Sequence, residues 1–249
     1  MPGVSELELA SAAARPALRR VGHKGADLIA PGNTAASFDA AVAAGVDMIE
    51  FDVLAERPDG SGELFLAHDY SALNTGPHLT LAQGLAHLSA EAFENIDLDV
   101  DLKLPGYELR VVWALREAGL LERAMFSSMY LASLAGLRAS EPGLKLGWSV
   151  PRVKRDYTTD VLTRIPAAAI VTGYRRILPG QARRTLQSGL CHAIMAHWRL
   201  VSPRLVRAVR SAGGELYVWT VDDPAHMAAL ETLGVTGIIT NDPRLFARR

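Results

Sequence analysis

The chain has 249 residues, 49% of them hydrophobic and 21% charged, which is enough apolar material for one large core and too much for a disordered chain. Lys and Arg number 26 against 27 Asp and Glu, a net charge of −1, so bulk electrostatics gives no case for a nucleic-acid or membrane-surface partner. The single cysteine, Cys191, excludes an internal disulfide and a multi-cysteine zinc site and fits a reducing, cytoplasmic setting.

Residues 1–17 read as a loosely ordered arm. They carry Glu6 and Glu8 and lack the apolar stretch of a secretory leader. No run in the chain reaches the roughly 18 apolar residues of a transmembrane segment. From Arg19 onward, β-like and helix-like runs alternate. Arg19 to Gly22 is the first strand. Thr34 to Ala44 is a helix that Asn33 or Thr34 can cap and Gly45 can end. Val46 to Val53 is a strand. Glu63 to Ala67 follows the turn Pro58-Asp59-Gly60-Ser61-Gly62 as a hairpin-like excursion. Leu81 to Leu88 is a short helix.

The alternation continues with strands at Ile96 to Leu102 and Arg123 to Ser127, each followed by a helix, and a strand at Lys145 to Val150. Ala167 to Thr172 and His192 to Ala196 are two more strand candidates. Then come a helix at Ser202 to Ala212, a strand at Glu215 to Val221, a helix at Pro224 to Leu233 and a last strand at Gly237 to Thr240. Repeated βα units imply a parallel sheet with helices outside. At this length the expected fold is an α/β TIM (β/α)8 barrel, a single domain over residues 18–249. Nine strand candidates compete for eight places, so one of Ala167–Thr172 and His192–Ala196 is expected to be surplus. A doubly wound sheet is the alternative, but neither GxGxxG nor GxxxxGK[ST] follows any strand.

Three local patterns carry chemistry. Glu50 and Asp52 lie two apart on an apolar strand and so face one side. Inside a barrel they would repel each other and be costly to desolvate. A divalent cation with a taste for oxygen, Mg²⁺ or Ca²⁺, removes both problems; a solvated strand end would also remove them. Asp97, Asp99, Asp101 and Lys103 share one parity on the next long strand. Asp101 and Lys103 fall at its C-terminal end, where barrel sites lie. Asp97 and Asp99 are expected near the strand start or in a bend, without a role. His23 and His68 stand after strand-like runs on either side of Glu50 and Asp52, as a general acid and base could.

These motifs, in order, resemble the glycerophosphodiester phosphodiesterase family. The chain has His23-Lys24-Gly25, Pro31-Gly32-Asn33-Thr34, Ser37-Phe38, Ile49-Glu50-Phe51-Asp52-Val53, His68-Asp69, Asp101-Leu102-Lys103, Trp219-Thr220-Val221 and Ile238-Ile239-Thr240-Asn241-Asp242. The resemblance implies a TIM-barrel hydrolase of lipid metabolism that cleaves a glycerophosphodiester to glycerol 3-phosphate and an alcohol. It implies His23 and His68 as acid and base, and Glu50, Asp52 and Asp101 as ligands to Mg²⁺ or Ca²⁺. Lys24 and Lys103 would hold phosphate oxygens, and Trp219 would floor the pocket. The chain departs from the family at Lys24, where the family has Arg; at Gly32, where it has Glu; and at Asp101, where it has the longer Glu. It also lacks most of the insertion expected after Asp69. An open site would suit a lysophospholipid, so a lipid phosphodiesterase of phospholipase-D type is one alternative. A catalytically inactive ligand-binding barrel is the other. The expected partner is a small-molecule phosphodiester or lysolipid; the oligomeric state is not legible.

Overall fold

A computed structural model describes residues 17–151 and 164–247. The expected N-terminal arm therefore lies outside the described residues, apart from Ala17. Nine strands are formed among the described residues: β1 (Arg19–Gly22), β2 (Met48–Ala55), β3 (Leu64–Phe65), β4 (Asp97–Leu102), β5 (Ala124–Ser128), β6 (Lys145–Val150), β7 (Ala193–His197), β8 (Glu215–Trp219) and β9 (Gly237–Thr240). Eight are parallel and run in the order β1-β9-β8-β7-β6-β5-β4-β2, with β1 pairing β2 to close the ring. β3 is an addition: it pairs antiparallel with the end of β2. The result is a TIM barrel with helices between its strands.

The helices are α1 (Ala35–Ala43), α2 (Tyr70–Leu73), α3 (Leu81–Leu88), α4 (Glu108–Glu117), α5 (Leu131–Ser140), α6 (Arg164–Gln187), α7 (Pro203–Ser211) and α8 (Pro224–Leu233). Thr34, not Asn33, caps α1: its side chain accepts from Ser37 N, and Ser37 Oγ accepts from Thr34 N in return. One expected strand is corrected. Residues 167–172 lie inside α6. The β-branched pair Val171-Thr172 mimics a strand, but Tyr174, Leu178, Ala182 and Leu186 follow at a spacing of four and pack inward. That helical period overrides the local preference. His192–Ala196 is then the genuine strand, one residue out of register with β7, and eight places have eight strands.

Strand parity sorts the side chains into two layers. Ile49, Phe51, Val53, Leu98, Val100, Leu102 and Phe126 face the helices in the main core. Val21, Met48, Met125, Ala193, Met195, Tyr217 and Ile239 fill the barrel interior. The interior series of β2 continues upward into Glu50 and Asp52, which is why all eight residues of that strand are buried although two are acids. β2 and β4 are in register, with Glu50 opposite Asp99 and Asp52 opposite Asp101. The pairing places four carboxylates at two levels on neighbouring strands.

The loop from β1 to α1 is pinned at its first turn. Gly25 has φ +84°, and a Cβ there would lie 2.6 Å from the Ser37 carbonyl. Gly25→Ala should therefore lower the unfolding free energy by at least about 1–2 kcal/mol, the cost of a left-handed L-residue before any clash. Denaturant melts followed by circular dichroism measure it; an unchanged midpoint would mean the loop is not constrained there.

Candidate active site

At the C-terminal end of the strands lies a cavity of about 160 Å³. His23, Glu50, His68, Asp99, Asp101 and Lys103 line its polar side; Met129, Met195, Trp219 and Ile239 line its apolar side. One carboxylate oxygen from each of Glu50, Asp52 and Asp101 lies within 4.8 Å of the other two. The loop and strand positions read from sequence thus converge on one place.

The charges there do not balance locally. Lys103 Nζ stands 2.8 Å from Asp52 Oδ1 and donates to Asp101 Oδ2 at 2.8 Å. Asn33, held at φ +59°, donates from Nδ2 to Asp52 Oδ2 at 2.9 Å and accepts from Asp52 N. Asp52 is fully buried, and its Oδ1 has an ion-pair neighbour but no directed hydrogen bond. Glu50 receives the Lys24 backbone N–H at 2.8 Å. One ammonium faces three carboxylates, which leaves a surplus of two negative charges.

The acid–base properties follow from that surplus. Burial pushes Glu50 well above the usual carboxylate range, and the Asp52 and Asp101 charges push it further. Asp52 resists the same burial because Lys103, then His68 and His23, hold its carboxylate charged and its pKa below the usual range. Lys103 is likewise desolvated, but Asp101, Asp52 and Glu50 keep it protonated and its pKa raised. Three converging carboxylates that one ammonium does not balance are the donor set that suits a hard divalent cation.

The two histidines differ. His23 Nδ1 lies 2.6 Å from Asn241 Oδ1, and its Nε2 lies 3.9 Å from Glu50 Oε2. Burial lowers its pKa, with the Lys24 charge adding to the effect. His68 is half-exposed, and its Nδ1 meets Asp69 Oδ2 at 2.9 Å. Trp219 stands at the end of β8; its Nε1 donates to Met195 O at 2.9 Å, and its ring meets His197 edge to face.

Lys24 is placed differently from the expected phosphate contact. Its Nζ pairs with Asp27 Oδ2 at 3.3 Å, and it is not among the residues lining the cavity. Asp97 behaves as expected, at the strand start in an ion pair with Arg19. Asp99 does not: it sits mid-strand, 1% exposed, inside the barrel beneath Asp101. The reason is register, since β4 runs straight from Asp97 to Leu102 without a bend. Asn33, Asn241 and Asp222 were missed as site residues. Asn33 had a legible signal, a polar residue able to adopt a left-handed turn just ahead of a cap. The other two had none before the tail segments were seen to meet at the mouth.

Asp99 has a testable consequence. Burial raises its pKa from 3.8 to about 8, opposed in part by the Ser127 hydroxyl and reinforced by the Asp101 charge. Between those values the folded chain keeps a proton that the unfolded chain has lost, so stability falls as pH rises. Asp99→Asn escapes that loss. In chelator, the variant should match the parent near pH 4 and exceed it near pH 8 by about 1–4 kcal/mol. Thermal melts at the two values decide it, and a difference that does not grow with pH ends the assignment.

The sequence profile of the glycerophosphoryl diester phosphodiesterase family matches residues 23–100 and 89–245. The chain is 25% identical to the glycerophosphodiester phosphodiesterase of Caldanaerobacter subterraneus subsp. tengcongensis, over 90% of this chain and 93% of that one. The crystal structure of a glycerophosphodiester phosphodiesterase from Parabacteroides distasonis superposes with a TM-score of 0.67 at 20% identity, covering 92% of this chain and 98% of the other. An Oleispira antarctica phosphodiesterase, solved with the product sn-glycerol-3-phosphate, gives 0.66 at 18% identity, covering 93% and 96%. The structures agree in fold, and the profile spans both histidines and all three carboxylates: the chain belongs to the glycerophosphoryl diester phosphodiesterase family of hydrolases.

Proposed function

We propose that the protein hydrolyses glycerophosphodiesters to glycerol 3-phosphate and an alcohol, using a divalent cation held by Glu50, Asp52 and Asp101. The observation that carries this reading is a three-carboxylate cluster of Glu50, Asp52 and Asp101 at a cavity that Glu50, Asp101 and both histidines line. When bound, the cation supplies positive charge to the nonbridging phosphate oxygens, where phosphoryl transfer needs it. Mg²⁺ and Ca²⁺ both suit the oxygen donors.

The chain's own groups divide the remaining work. His23, whose pKa burial lowers, is the base: its Nε2 takes the proton of the attacking water, or of a substrate hydroxyl whose cyclic phosphate water then opens. His68 donates Nδ1–H to Asp69, which turns Nε2 toward the cavity. That nitrogen, when protonated, gives its proton to the leaving alkoxide. The P–O bond to the alcohol breaks as the bond to the nucleophile forms. Lys103, which lines the cavity, would hold a phosphate oxygen once a bound cation balances Asp52 and Asp101. Lys24 reaches the phosphate only by leaving Asp27, a short step for a partly exposed pair. Trp219 closes the apolar wall.

A lysophospholipid is the second reading for the substrate. Leu28 is 60% and Ile29 39% exposed on the loop that follows His23. Leu28 N donates to Asn241 O at 3.0 Å, and Met129, Met195 and Ile239 give the cavity its apolar side. Glycerophosphocholine and lysophosphatidylcholine assayed in parallel separate the two readings by product, free glycerol 3-phosphate against lysophosphatidic acid.

His23→Ala and His68→Ala should each lower kcat by roughly 10²- to 10⁴-fold with the fold retained by circular dichroism. Chelation should abolish turnover, and Mg²⁺ or Ca²⁺ should restore it. Full activity in either variant, or in chelator, would remove the proposed mechanism.

A further inference from the structure

Beyond the wall that Trp219 forms, the tail segments Trp219-Thr220-Val221 and Thr240-Asn241 come together beside His23. Asp222, directly after Val221, accepts three hydrogen bonds. They come from Thr240 Oγ1 at 2.9 Å, Asn241 N at 2.8 Å and Asn241 Nδ2 at 2.7 Å. A carboxylate only accepts. The end of the Asn241 amide facing Asp222 is therefore the NH₂ group, and the end facing His23 is the carbonyl Oδ1. That oxygen, 2.6 Å from His23 Nδ1, also only accepts. The ring nitrogen facing it must carry the proton.

We infer that Asp222 is a positioning residue: through Asn241 it fixes the proton of His23 on Nδ1 and leaves the Nε2 lone pair facing the cavity. The inference deepens the proposed function, because a base is useful only if its free nitrogen points at the nucleophile. Asp222 belongs neither to the cavity lining nor to the carboxylate cluster, and it acts through the direction it imposes on Asn241.

The chain of donors and acceptors predicts what each change does. In Asp222→Asn, one new oxygen still accepts from Thr240 and Asn241 N. The new amide nitrogen meets Asn241 Nδ2 donor to donor. Asn241 turns over, gives its N–H to His23 Nδ1, and the imidazole proton moves to Nε2. In Asn241→Asp, two carboxylates face each other and the link breaks by repulsion. The double variant D222N/N241D rebuilds the original order: an amide N–H donates to a carboxylate, which accepts from His23 Nδ1–H.

The test uses the full chain with ¹⁵N-labelled histidine and long-range proton–nitrogen correlation, together with steady-state kinetics on glycerophosphocholine. In the parent, His23 should show protonated Nδ1 and unprotonated Nε2. Asp222→Asn should reverse them and lower kcat by roughly 10- to 100-fold with KM unchanged. The double variant should recover both the tautomer and most of the kcat, which a merely structural loss would not do. An Asp222→Asn protein with the parent tautomer and kcat, or a folded double variant without recovery, would overturn the inference. If no glycerophosphodiester is hydrolysed by the parent, the proposed function fails while the nitrogen shifts still decide the tautomer.

Discussion

Everything at the mouth of this barrel answers to one electrostatic problem: three carboxylates in a desolvated interior with one ammonium among them. Lys103 is divided between Asp52 and Asp101, so it cannot also neutralise Glu50. The burden shows in the pKa pattern, where Asp52 stays charged and Glu50 is driven toward its neutral form. A core arranged for stability alone would not keep such a cluster, since buried like charges cost more than apolar side chains of the same size. The surplus is tolerated because parity and register force it: once Met48 fills the interior of β2, Glu50 and Asp52 must follow it inward, and β4 answers with Asp99 and Asp101.

The departures of this chain from its family pattern are not independent of one another. Lys24 and Gly32 meet at Asp27, whose carboxylate takes the Lys24 ammonium on one oxygen and the Gly32 N–H on the other. A Cβ at position 32 would lie 2.7 Å from that same carboxylate and 2.8 Å from the Lys24 Cβ. A Glu there has no room while Asp27 holds this place. The pair Lys24 and Gly32 is therefore one local solution, and the shift of the cation away from the phosphate side is its consequence. Lys24 keeps its part in the site through its backbone, whose N–H fixes Glu50.

The barrel was legible in the sequence because its signal is repeated: each strand's alternation and each helix cap is weak, but eight in order allow few alternatives. Which of 167–172 and 192–196 is surplus is not legible from a short β-branched run; the spacing of Tyr174, Leu178, Ala182 and Leu186 in the helix settles it. Glu50, Asp52, Asp101, Lys103, His23 and His68 were legible as residue types at strand ends. What sequence could not carry was partnership across the ring. Nothing in the order of residues says that Asn33 reaches Asp52, or that Asp222 reaches Asn241, because those contacts depend on how far each loop bends. Asp99 differs from expectation for a related reason: an apolar interior has no place for a carboxylate, but this barrel admits a carboxyl group there because burial raises its pKa to about 8.

The shortened segment after Asp69 still has to orient His68, and a single residue does both tasks. Asp69 Oδ2 takes the His68 Nδ1–H, while Oδ1 accepts from Ala72 N at 2.8 Å and caps the one-turn helix α2. A one-turn helix has little stability of its own, so its cap and the orientation of the histidine stand or fall together. That coupling explains how the chain can return from His68 to α3 with no covering insertion and yet keep the imidazole aimed at the cavity. It also leaves the His68 imidazole half-exposed. Among the described residues, the orientation of His68 thus rests on its immediate neighbour in sequence.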